Sequence, residues 1–96
     1  MKTEQAQKIA EIFKTLSDET RIQLVYHLYK QKELSVSDLA NQVNASVAST
    51  SHHLRLLQLN RIAKSRKIGK QVFYSLVDEH IILLIKTAYE HMDEPL

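Results

Sequence analysis

Asp78, His80, His91 and Glu94 are the residues whose types and spacing could do chemistry in this chain. Imidazole nitrogens and carboxylate oxygens are zinc-type donors, with bonds of about 2.0–2.2 Å. His80 and His91 stand eleven positions apart. That is about three turns of helix at ~3.6 residues per turn, so the two rings share a face. At ~1.5 Å rise per residue the same spacing separates them by about 16 Å, too far for one helix to bring both to one ion. A second copy of the helix, antiparallel about a two-fold axis, sets the start of one against the end of the other. Two identical sites of Asp, His, His and Glu then form. The spacing therefore predicts a homodimer and a metal site together, with two Zn(II) ions per dimer.

The helix that must carry these residues has the pattern for it. At ~100° per residue, His80, Leu84, Thr87 and His91 form one stripe, with Leu83 and Glu94 beside it. Ile81, Ile85, Ala88 and Met92 form a second stripe about a quarter-turn away. Two such stripes predict two buried contacts, one with the home domain and one with a partner. A single histidine at a helix end more often meets solvent or a carboxylate. The paired spacing on a dimer face reverses that preference. Two imidazoles and two carboxylates suit tetrahedral zinc. Co(II) can bind there more weakly, nickel prefers more ligands, and copper(I) or cadmium prefers sulfur.

Upstream, residues 4–16 read as a helix with Ile9, Ile12, Phe13 and Leu16 on one stripe. Ser17-Asp18 stops it and caps a second helix over residues 19–30, with Ile22, Val25, Leu28 and Tyr29 inward. Ser35 caps a short helix over 36–43, with Asp38 as its capping-box partner. Asn44-Ala45-Ser46 is a tight turn, and Ser46 caps a helix over 47–58 with Leu54 and Leu57 inward. Two short helices around such a turn fit a helix-turn-helix. After Asn60 the period becomes two, on both sides of Gly69-Lys70, and predicts a β-hairpin with Arg66 to Lys70 at its tip. Asp78 caps the final helix, which runs to about Met92. The expected fold is mainly α with a β-hairpin wing, a winged helix-turn-helix over residues 1–96 as one homodimeric domain, with the first helix (about 4–16) and the last (about 78–92) forming the dimer interface.

Composition narrows the function. The chain has 96 residues, a formal net charge of +2, one Gly, one Pro and no Cys. A thiolate metal site and a disulfide framework are thereby excluded. The sequence pI is near 8.9, so a nucleic-acid surface must come from local clustering of charge. The N-terminus lacks an apolar signal core and no run approaches transmembrane length, so the expectation is a cytoplasmic protein with no membrane partner. No nucleophile constellation or general base stands out, so no enzyme and no small-molecule substrate are expected.

In a winged helix-turn-helix the second helix of the pair enters the major groove by its N-terminal residues. Here these are Val47, Ala48, Ser49, Thr50, Ser51 and His52, small enough for close approach and partly able to bond bases or phosphate. Ser and Thr also follow helix caps by propensity, so the order of elements carries the case more than any residue. Arg55 lies one turn on, within reach of phosphate. Arg66, Lys67 and Lys70 of the hairpin could meet backbone or minor groove. His27 has no ligand set near it, and His53, beside the core residue Leu54, suits packing or a hydrogen bond.

Four segments together resemble the ArsR/SmtB family of metal-sensing repressors: Leu16-Ser17-Asp18-Glu19-Thr20-Arg21, Ser37-Asp38-Leu39-Ala40, Ser51-His52-His53-Leu54-Arg55-Leu56-Leu57, and Gly69-Lys70-Gln71-Val72-Phe73-Tyr74-Ser75-Leu76. The resemblance covers almost the whole chain. It implies a homodimeric repressor that binds an imperfect palindrome in double-stranded operator DNA and leaves it when metal binds. Asp-x-His, ten residues, then His-x-x-Glu is similar to the last-helix zinc site of SmtB-like members. That likeness implies Asp78 and His80 from one subunit with His91 and Glu94 from the other. It also implies a hydrogen bond from the His91 ring to the Arg61 carbonyl, which would make Arg61 an allosteric link. The chain departs from many relatives in carrying serines, not cysteines, across Leu34-Ser35-Val36-Ser37-Asp38-Leu39. Some relatives also have polar residues where Val47 and Ala48 stand. A regulator of the same family that answers another metal, or none, is the alternative expectation.

Overall fold

The computed structural model describes residues 1–95. Its elements are α1 (Thr3–Leu16), α2 (Glu19–Gln31), β1 (Glu33–Ser35), α3 (Val36–Gln42), α4 (Val47–Leu59), β2 (Ala63–Ile68), β3 (Gln71–Leu76) and α5 (Glu79–Met92). The fold is a winged helix-turn-helix. Its three-stranded antiparallel sheet has the order β1-β3-β2.

Side-chain caps start four of the helices where the sequence has Asp or Ser. Asp18 accepts from the Arg21 N–H, Ser35 from Asp38, Ser46 from Ser49, and Asp78 from His80 and Ile81. Each satisfies backbone donors that a helix start leaves without partners. Between α3 and α4 the chain reverses at Asn44 with φ 55°, a left-handed conformation that Asn tolerates well. In the wing, Gly69 has φ 62° at the first of the two loop residues between β2 and β3. A two-residue hairpin loop needs a residue that accepts that conformation.

One core joins every layer. Leu24, Val25 and Leu28 of α2, Leu39 of α3, and Leu54 and Leu57 of α4 are all at most 1% exposed. Ile62 and Ala63, at the start of the wing, and Tyr74 and Leu76 of β3 join them, with Ile81 and Ile85 of α5 closing the far side. Of the second stripe of α5, Ile81 and Ile85 therefore pack on its own domain, while Ala88 and Met92 are exposed. Ile9 and Phe13 of α1 are instead 41% and 54% exposed, and Ile22 is 38% exposed. The apolar stripe of α1 is thus half turned outward in a single chain.

Beyond one-residue shifts at the start of α1 and the ends of α2 and α3, three boundaries differ from the sequence expectation. Residues 33–35 form a strand paired with β3, a three-residue element too short for periodicity to reveal. β2 runs on to Ile68, so Arg66 sits opposite Phe73 inside the ladder and not at the tip. α4 also ends at Leu59, one residue later than expected. It closes with Arg61 N–H to Gln58 and Ile62 N–H to Leu57 bonds. This is a Schellman ending, and Arg61 occupies its left-handed position, usually a glycine, with φ 58°.

Candidate functional site

Two surfaces carry the candidate residues. On the first, α4 follows α3 across the Asn44 turn and presents its N-terminal half. Val47, Ala48, Ser49, His52 and Arg55 are exposed and Ser51 is partly so. Thr50 is a correction: it is 0% exposed, with its hydroxyl buried and without a hydrogen-bond partner among the described residues. The helical period turns position 50 onto the stripe of Leu54 and Leu57, so it faces the core and cannot read DNA. In the wing, Lys67 and Lys70 are exposed. Arg66 is already engaged. Its Nε and Nη2 donate to Glu33 Oε2 and Oε1, both at 2.7 Å, across the intervening β3. This two-pronged bond holds the Glu33 carboxyl below its ordinary range and Arg66 above its own. Glu33, on the strand that periodicity did not reveal, was not among the sequence candidates.

On the second surface, α5 carries its donors at the two ends. Asp78 Oδ1 accepts the N–H groups of His80 at 2.9 Å and Ile81 at 3.2 Å. Its Oδ2 lies 3.6 Å from His80 Nδ1. One carboxylate thus starts the helix with one oxygen and faces the ring with the other. His91 and Glu94 stand at the opposite end, both exposed. Among the described residues, no three His, Cys, Asp or Glu side chains of one chain come together to hold an ion. The four side chains therefore stand as two separate pairs at the two ends of α5, as the eleven-residue spacing requires of a single helix. The face between them is apolar and open, with Leu83 60% and Met92 67% exposed. Beside it, Phe13, Leu16, Ile22, Ile81, Leu84 and Ala88 line a groove of about 270 Å³ between α1, α2 and α5. At its C-terminal end α5 is held to α2 by Tyr89 stacked on Tyr26, with centroids 5.1 Å apart.

Residues 18–65, the stretch from the cap of α2 to the start of the wing, match the profile of the bacterial regulatory protein, arsR family. The chain belongs to the arsR family. It is 50% identical over 86 residues to a cadmium resistance transcriptional regulatory protein CadC homolog of Staphylococcus aureus, covering 90% of this chain and 71% of that one. It is 40% identical over 94 residues to a transcriptional repressor SmtB homolog of Synechocystis sp., covering 98% and 70%. Its fold is similar to a homodimeric winged helix-turn-helix DNA-binding domain from Mycobacterium bovis, with TM-score 0.86, 22% identity, and coverage of 95% and 83%.

In this arsR-family chain the two surfaces are joined by short backbone links. Ile62, three residues past the end of α4, accepts the Val77 N–H at 3.1 Å, and Val77 directly precedes Asp78. Arg61 lies between α4 and that bond. A side-chain link runs elsewhere. Arg21 on α2 donates from Nε to the Thr15 carbonyl of α1 at 2.6 Å, and its Nη1 lies 3.2 Å from His53 Nδ1 on α4. The hydrogen bond expected of His53 is present. Its partner could not be read from the sequence, since Arg21 is 32 positions away.

Proposed function

We propose that this arsR-family chain is a zinc-responsive transcriptional repressor. It binds double-stranded operator DNA as a homodimer and releases it when Zn(II) binds between the two α5 helices. It acts in the cytoplasm and carries out no catalysis. The observation that carries this reading is the split ligand set of α5. Asp78 and His80 form an oxygen–nitrogen pair at one end, and His91 and Glu94 lie at the other. Both pairs flank an exposed apolar face that a second copy would cover.

The residues fit zinc. Two imidazoles and two carboxylates, with no open position for a substrate, make a closed four-coordinate set. Asp78 has one oxygen committed to capping, which fixes its carboxylate, and the other turned toward the exposed His80 ring at 3.6 Å. Bound zinc would supply bonds from both protomers at once. The chain's own part is to turn a fixed α5–α5 arrangement into a fixed placement of α4. The Ile62–Val77 bond provides the route, since it ties the helix-start residue Asp78 to the end of α4. Recognition helices that no longer match successive major grooves, about 34 Å apart, lose the operator. In this reading Arg61 lies on the route, and its carbonyl is the acceptor for the partner's His91 ring.

The similarity to a cadmium resistance regulator favours a second reading, in which the same protein answers another metal or none. The absence of cysteine from the sequence weighs against cadmium. One experiment separates these. A duplex is first selected from a random-sequence library by the zinc-free protein. Its affinity is then measured with and without zinc, cobalt and nickel. Zinc should weaken binding roughly 150-fold, a coupling of about 3 kcal/mol, at one ion per subunit. His91→Gln should still bind the duplex and lose the zinc response. Release of H91Q by zinc would place the ligands elsewhere, and indifference to all three metals would support the second reading.

A further inference from the structure

We infer that Arg21 is a positioning residue for the recognition helix, acting through an unprotonated Nδ1 on His53. The inference rests on DNA binding by α4, but not on the metal site. Arg21 joins three elements. Its own N–H is capped by Asp18 Oδ2 at 3.0 Å, its Nε holds the last turn of α1 through the Thr15 carbonyl, and its Nη1 meets His53 on α4. His53 sits directly after His52 and one turn beyond Ser49, so a rotation of its ring or helix is felt at the groove-facing residues.

The chemistry of the contact is one-directional. A guanidinium has five N–H donors, no acceptor, and keeps its proton in proteins. At 3.2 Å the facing Nδ1 must therefore accept, and the ring's proton must be on Nε2. Protonation of Nδ1 would set two donors and two positive charges against each other. The charged groups facing His53 are known on each side. From α2 they are Arg21 and Asp18, whose carboxyl is lowered in part by the His53 charge. From α4 there is the His52 ring, with its centroid 6.0 Å away. From α1, Thr15 contributes a carbonyl already occupied by Arg21. A protonated His53 thus loses Arg21 and turns toward the Asp18 carboxylate at the start of α2. Arg21 is then left holding α1 and α2 without α4.

This consequence has a sign that charge alone does not predict. Extra protons on His52 and His53 add positive charge near phosphate, which should tighten DNA binding. Loss of the Arg21 contact should weaken it. The test uses the whole zinc-free protein in chelator, the selected duplex, and constant ionic strength between about pH 5.5 and 7.5, the range in which histidines change charge. The wild type should bind roughly tenfold more weakly at the acid end, the size of one charge-assisted hydrogen bond. His53→Gln presents an amide oxygen that accepts at every pH, so its binding should not weaken on acidification, and should hold or tighten with the charge that remains on His52, whatever its absolute affinity. Binding that tightens on acidification, or H53Q that keeps the wild-type profile, overturns the inference. A measurement on the wild type needs no variant and no DNA. Nitrogen-15 spectra of the His53 ring should show a protonated Nε2 and a bare Nδ1 at pH 7.5, and the opposite tautomer would also overturn it. Failure to select any duplex would instead count against DNA binding, while the ring spectrum still decides the contact.

Discussion

The Val77 N–H donates to the Ile62 carbonyl at 3.1 Å, and that bond joins the end of the recognition helix to the start of α5. Asp78 follows at once, and its carboxylate has two tasks that substitutions can separate. Asp78→Asn keeps a side-chain oxygen for the His80 and Ile81 N–H groups, because Asn caps about as well as Asp. It gives up the charged oxygen that faces the ring. Its stability should stay close to wild type, while zinc affinity falls by tenfold or more, since a ligand matters at least as much as the groups behind it. Asp78→Ala loses both and should cost about 1 kcal/mol in urea unfolding as well. Zinc titration against a chromophoric competitor checks the first part. D78N that binds zinc like the wild type would remove Asp78 from the ligand set.

Arg61 carries backbone strain at the junction where α4 meets the wing. Its φ of 58° is the left-handed region, where a Cβ crowds the following carbonyl. Glycine has no Cβ, but it loses more freedom on folding. A basic side chain at a helix end also interacts favourably with the dipole. The clean comparison is therefore between two truncations that both lose the guanidinium. Arg61→Gly should be more stable than Arg61→Ala by about 1 kcal/mol. Equal urea midpoints for the two would show that the turn relaxes without cost.

Much of this architecture was legible because its signals are local. The caps Asp18, Ser35, Ser46 and Asp78 mark helix starts by residue type, and alternation around Gly69 marks the wing. The ends of α5 were legible because eleven positions make whole turns. What was hidden depends on partners distant in sequence. β1 exists because Glu33 to Ser35 pair with β3 about forty positions later, and three residues carry no period. Arg66 looked like a free wing cation because the sequence does not reveal that Glu33 lies across the sheet. Thr50 looked like a groove residue because Ser and Thr surround it. Its spacing from Leu54 and Leu57, four and seven positions, already placed it on their inward stripe, and its burial follows from that. Ile9 and Phe13 were legible as an apolar stripe, but a stripe does not by itself say which chain it packs against.

The Glu33–Arg66 pair predicts unequal roles for the wing's basic residues. Each Lys or Arg that neutralises a phosphate adds close to one unit to the slope of log affinity against log salt. Lys67 and Lys70 are exposed, so Lys67→Ala and Lys70→Ala should each reduce that slope by nearly one. Arg66 has its charge matched by Glu33 and its fork occupied. Arg66→Ala should therefore change the slope much less than either lysine. Equal slope losses for all three would mean that Arg66 leaves Glu33 for phosphate when DNA binds. Glu33→Gln separates these outcomes further. It should leave the slope near wild type if the pair only braces the sheet, and steepen it if Arg66 is released.

Asp18 sets the acid limit of the fold in a direction that can be worked out. Its Oδ2 accepts the Arg21 N–H at 3.0 Å, and that bond is the main cause of a carboxyl held below its ordinary value. Partial burial pushes the other way, and the charges of Arg21 and His53 add to the lowering. A carboxyl whose folded value lies below its unfolded one, about 3.9, binds fewer protons when folded. Its contribution is therefore complete above that unfolded value, shrinks as pH falls past about 4, and is gone below the lowered folded value. At neutral pH, Asp18→Ala should cost about 1 kcal/mol for the lost cap. Asp18→Asn keeps a cap that does not titrate, so the gap between wild type and D18N measures the charge alone. Urea unfolding from pH 5, below the range in which histidines change charge, down to pH 2 should show that gap constant at first and closing below about pH 4. A gap that stays constant throughout would mean that the Asp18 charge does not stabilise the folded chain.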